Sequence, residues 1–150
     1  MDITTQRAAP TGALHLRGID GQLLYDTGAD GKPDMEKPVR IHFYSPGSKQ
    51  QAAAEARATE RALQRARDND GQPTPATPEV RRLENAEDLA AATSHFENLS
   101  YPPAGDVQGP ALFKALYLDP DLGFIIPQAA KFLATWGNFK PVGSPASPTT

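Results

Sequence analysis

The residues best suited to chemistry in this chain stand in Asp26-Thr27-Gly28. That triplet is the one aspartic proteases use to share a proton between two carboxylates and activate water. The chain carries one copy, so a dimer would have to supply the second. The surroundings do not suit the reaction. Such proteases are almost wholly β, whereas here an alanine-rich helical pattern begins about twenty residues on. Tyr25 also stands where the motif carries a small aliphatic residue. A turn after a strand uses the same residues, and an aspartic peptidase using Asp26 is the remote alternative. Asp26, Asp30 and Asp34 around Gly31 faintly trace a calcium loop, but Gly28 fills one ligand position and the closing glutamate is missing. They read as turn carboxylates.

His15, His42 and His95 fall on two expected strands and one expected helix. No pair has the i+4 spacing that chelates a metal from one helix face. No Gly-x-Ser-x-Gly elbow presents a nucleophile, and no glycine-rich loop ends in Gly-Lys-Ser/Thr to cradle phosphate. The expectation is a non-enzyme with no metal and no cofactor.

Two surfaces are candidates for binding. Arg57, Arg61 and Arg65 recur every four residues beside Arg67 and form a basic ridge that could grip phosphate or an acidic partner. No aromatic residues interleave, and Glu55 and Glu60 dilute the field, so a solvated helix face is expected and the ridge ranks second. The first candidate is the C-terminal segment with Phe124, Ile125, Ile126, Phe132, Leu133, Trp136 and Phe139. Ile125, Ala129, Phe132, Leu133 and Trp136 make one helical stripe that can dock in the domain, while Phe124, Ile126 and Phe139 lie partly off it. Such surplus apolar area fits the apolar stripe of a partner helix.

The elements that must hold these residues give an α+β chain. Residues 13–17, 22–25 and 39–44 read as three strands of a small N-terminal antiparallel sheet, with Val39, Ile41 and Phe43 on one face. Ser45-Pro46 opens a helix from about Gly47 to Asp68, with Ala52, Ala56, Thr59, Leu63 and Ala66 as its packing seam. Asn69-Asp70-Gly71 ends it, and prolines make a linker of 70–77. Thr77-Pro78-Glu79 starts the second half of a helical hairpin, facing inward with Val80, Leu83, Leu89, Ala90, Thr93 and Phe96. A short helix over Ala111 to Leu118 follows, then a last helix capped by Asp121, with Pro127 in its first turn. Residues 1–11 are expected to be flexible, 12–140 to form one domain, and 141–150 to be a disordered tail.

Composition limits what this domain can be. Of 150 residues, 23 are alanine and 35 are larger apolar side chains, so the core is lean and a partner would add stability. A net charge of −3 gives no general attraction to nucleic acid or anionic lipid. No cysteine is present, which excludes disulfides and thiolate zinc sites. No run approaches the roughly 20 apolar residues of a membrane span, and Met1 to Pro10 lacks a signal-peptide core, so an intracellular protein is expected.

The strand-to-helix stretch Pro38-Val39-Arg40-Ile41-His42-Phe43-Tyr44-Ser45-Pro46-Gly47-Ser48-Lys49-Gln50 resembles the tail assembly chaperones of long-tailed bacteriophages and prophages. So does the closing pattern Leu122-Gly123-Phe124-Ile125, Ala130-Lys131-Phe132-Leu133 and Trp136-Gly137-Asn138-Phe139. The likeness covers about Asp20 to Phe139, with the proline-rich linker and the alanine excess as departures. It implies a helper in the host bacterium's cytoplasm that binds the tape-measure protein and recruits tail-tube subunits, with no catalytic residues. Self-association stays open. A structural minor tail or head–tail protein retained in the virion is the alternative.

Overall fold

The computed structural model describes residues 1–141, so the expected tail over 141–150 lies, beyond Pro141, outside the described residues. The chain is α+β, as its patterning indicates. Strand β1 (Thr11–His15) pairs antiparallel with β4 (Arg40–Tyr44), which pairs antiparallel with β5 (Thr93–Glu97), giving the sheet order β1-β4-β5. Strands β2 (Tyr25–Thr27) and β3 (Pro33–Pro38) form a separate hairpin. Helices α1 (Lys49–Asp68) and α2 (Pro78–Ala92) lie between β4 and β5 in sequence; α3 (Pro110–Leu118) and α4 (Ile125–Leu133) close the chain.

Alternation decides the sheet. Ile41 and Phe43 are fully buried and Val39 nearly so, while Arg40, His42 and Tyr44 face outward. Phe43 meets Phe132 with ring centroids 5.8 Å apart, and Phe132 meets Phe139 at 5.3 Å. Phe139 reaches this stack because β1 has no side chain at Gly12: a Cβ there would lie 2.5 Å from the Asn138 carbonyl oxygen. The Ala9 amide donates to the Phe139 carbonyl at 3.0 Å, tying the two ends of the domain together.

Several expected elements move. The third strand of the sheet is β5, not residues 22–25, whose strand starts at Tyr25 and belongs to the hairpin. Thr93 and Phe96 match helical spacing, yet α2 stops at Ala92. Pairing with β4 satisfies the backbone there, Phe96 packs on Phe113 at 4.7 Å, and the buried Thr93 and Tyr117 hydroxyls bond at 2.7 Å. Burial pushes the Tyr117 phenol well above its usual range. Ser48, not Ser45, caps α1 by accepting from the Gln51 amide, because Ser45 is buried and its amide bonds the Pro10 carbonyl. Gly71, at φ +80°, terminates α1 through a bond to the Ala66 carbonyl, and Thr77 and Pro78 start α2 as expected. Residues 3–6 form a 3-10 turn capped by Asp2 within the segment expected to be flexible.

The helical hairpin packs only in part on the expected face: Ala66 of α1 and Leu89 of α2 are half-buried and Ala90 is buried, as expected. Ala52, Ala56, Thr59 and Leu63 are exposed, as are Val80 and Leu83. Ala54, Arg61 and Arg65 of α1 turn toward α2 instead, while α2 buries Ala86 and Ala90. No helix among the described residues is long and apolar enough to cross a membrane.

Candidate partner-binding groove

Helix α4 carries two apolar stripes, not one. Ile125, Ala129 and Phe132, spaced i, i+4 and i+7, are buried against the domain. One residue round, Ile126, Ala130 and Leu133 repeat the spacing and line a recess of about 380 Å³. Its other walls are Gln51, Ala54 and Ala58 of α1 and Asn85, Leu89 and Ala92 of α2. Asp119, rather than Asp121, caps the 3-10 turn Pro120–Leu122 ahead of α4, and Pro127 falls in the helix's first turn.

Gln128 fixes how α4 sits. Its carboxamide oxygen accepts from the Arg17 amide at 2.9 Å, and its nitrogen donates to the Arg17 carbonyl at 2.9 Å and the Phe124 carbonyl at 3.2 Å. A lone amide on an apolar helix is the one sequence signal for this clamp, and sequence reasoning passed over it.

The C-terminal residues named from sequence therefore divide. Ile125, Phe132 and Phe139 are sealed in the core, and Phe124 is half-buried beside it. Ile126 and Leu133 stay half-exposed in the groove, and Trp136 is 59% exposed. Trp136 lies against Gly47, where a Cβ would come within 3.2 Å of the indole. Gly47 and Trp136 lie just beyond the ends of α1 and α4 nearest Gln51 and Leu133, so the indole belongs to that end of the groove without lining it.

The basic ridge does not form as one surface. Arg61 donates to Glu87 and Asp88, both at 2.8 Å, and Arg65 pairs with Glu84. Lys114 of α3 joins the network through Glu87 at 3.3 Å. Burial works against the Arg61 charge, but the Asp88 hydrogen bond and the surrounding carboxylates outweigh it and raise its pKa. Arg57 remains exposed, and Arg67 meets Glu60 at 3.6 Å on the surface.

The histidines are less scattered than their sequence positions suggest. His42 and His95 sit opposite each other on β4 and β5, rings stacked with centroids 4.0 Å apart. Glu97 accepts from His42 at 2.7 Å and from Arg40 at 3.2 Å. The His42 hydrogen bond leads the causes that lower the Glu97 pKa; burial, then the charge of His42, lowers that of His95. His15 bonds the Leu24 carbonyl at 2.8 Å. Asp26, Asp30 and Asp34 each accept from a backbone amide one or two residues on, at 2.9 to 3.0 Å. Among the described residues no group of three or more acidic or histidine side chains could hold a metal ion.

Compared with family models, with curated proteins and with solved structures, the chain has no match in any of the three.

Proposed function

We infer that this chain is a tail assembly chaperone of a long-tailed bacteriophage or prophage. It binds the tape-measure protein in the host cytoplasm and helps bring tail-tube subunits to it. One observation carries the binding half of this reading: α4 keeps a second apolar stripe, Ile126, Ala130 and Leu133, open to a groove, with the exposed Trp136 three residues beyond Leu133. A tape measure is a long helical protein whose apolar stripe is exposed until the tube encloses it, and an uncovered stripe aggregates. A small protein with a shallow apolar groove can cover such a stripe repeatedly and then be displaced. The tail-specific half is supported by the sequence resemblance over Pro38 to Gln50 and Leu122 to Phe139.

The test is co-purification with the tape-measure protein encoded in the same genome. Leu133→Asp and Trp136→Asp are expected to reduce recovery at least tenfold, on the order of a lost interface hot spot. Arg57→Glu, exposed on α1 and outside the groove's lining, serves as the surface control. Circular dichroism must show all three folded. Undiminished binding by folded Leu133 and Trp136 variants rejects the groove. Stoichiometric copies in purified particles would favour a structural tail protein instead.

A further inference from the structure

A second, smaller recess of about 230 Å³ continues the groove along α2, and the two share Asn85 and Ile126. Their walls carry opposite charge. The larger has Glu55 and Asp88 and no basic side chain; the smaller has Arg81 and Arg82 and no acidic one. From Arg81 to Asp88 the wall changes sign over about 10 Å, at 1.5 Å per helical residue. Glu55 and Arg81 enter no ion pair among the described residues, so both charges remain to be answered. Asp88 is shared with Arg61, and Arg82 donates to the Leu118 carbonyl at 2.7 Å.

The geometry points to one amphipathic helix as the occupant, lying along α2 with Lys or Arg over Glu55 and Asp88 and with Asp or Glu about two turns away over Arg81 and Arg82. A helix fits better than an extended strand, because the walls are helices and offer no ladder of free backbone groups to pair with. The small side chains Ala54, Ala58, Ala92 and Ala130 let it approach closely, while Leu89 and Leu133 meet its apolar stripe. The trough follows the whole of α2, so it accommodates about four turns. The charge reversal sets the direction of any given partner. This inference rests on the binding reading above and adds the partner's charge pattern and polarity.

Trp136 is the chain's single tryptophan and stands at the acidic end of the trough, which makes it the reporter. The probe is a synthetic amphipathic helix of about 15 residues with lysines at one end, glutamates at the other and a nitroxide at either terminus. With the full chain, a nitroxide on the lysine end is expected to quench Trp136 fluorescence, and one on the glutamate end to leave it. In the Glu55→Lys, Arg81→Glu double variant, where Asp88 and Arg82 oppose the new charges, the difference between the two ends should be lost. Each single inversion is expected to weaken binding about threefold to tenfold at low salt, as rim charges do. Equal quenching from both ends in the unaltered chain, or an undiminished preference in the double variant, overturns the inference. Directional peptide binding with no tape-measure binding would sink the functional reading alone. Tape-measure binding indifferent to both inversions would sink this inference alone.

Discussion

Phe139 and Trp136 lie three residues apart, and the fold uses them in opposite ways. Phe139 is 1% exposed beneath β1, so Phe139→Ala should cost about 3 to 5 kcal/mol in urea unfolding. Trp136→Ala, at a 59% exposed site, should stay within about 1 kcal/mol. Gln128 is of a third kind, since it answers both backbone groups of Arg17. Gln128→Leu removes both of these bonds and should destabilise by about 1 to 3 kcal/mol, read in the same unfolding experiment. The stacked histidines give a pH dependence whose sign follows from two lowered values. His95 and Glu97 both hold protons less tightly folded than unfolded. Each therefore contributes stability above its ordinary value, 6.5 for His95 and 4.5 for Glu97, that is lost as pH falls through the lowered folded value. The melting temperature should drop on acidification in two stages, and His95→Asn should remove the upper one.

Among the α-helices of the described residues, α1 buries the least of itself. Ala54 is its single buried residue, and its contact with α2 runs through Arg61 and Arg65 to Glu84, Glu87 and Asp88. Partly exposed ion pairs of this kind contribute little each and weaken with salt. Helix α1 should therefore exchange its amide hydrogens faster than β4 or α3, and faster still at 1 M salt on the order of a 3 Å screening length. Arg61→Ala should destabilise by about 1 kcal/mol and speed exchange in α1 while leaving β4 unchanged. An element held this way can adjust its distance from α4, which suits the proposed binding role of the groove.

At the scale of the molecule, a lean core is folded around two apolar stripes of a nine-residue helix, one spent on the domain and one left over. The leftover stripe is accessible because α1 and α2 stand apart from α4 there instead of closing on it. Binding that fills the groove should stabilise α1 as well as the partner, since a ligand for the native state raises its stability by mass action. Hydrogen exchange in α1 is expected to slow when the tape-measure protein or the charged peptide is added; unchanged exchange would place the contact elsewhere.

Residue type and spacing alone determined the α+β class, the buried face Val39, Ile41 and Phe43, the Thr77-Pro78 helix start, the Gly71 stop and the short helix before Asp119-Pro120. These depend on neighbours within a few positions, where side-chain period and capping chemistry act. Tertiary contact decided the rest. Thr93 to Glu97 suits helix or strand by its own pattern, and only pairing with β4, fifty residues away in sequence, made it the third strand. The same kind of distant partner turned Arg61 and Arg65 toward α2, stacked His42 on His95, and let Gln128 hold Arg17. Which of α4's two stripes is sealed and which stays open is also a tertiary result. Their spacings are identical, so only what packs against each one tells them apart.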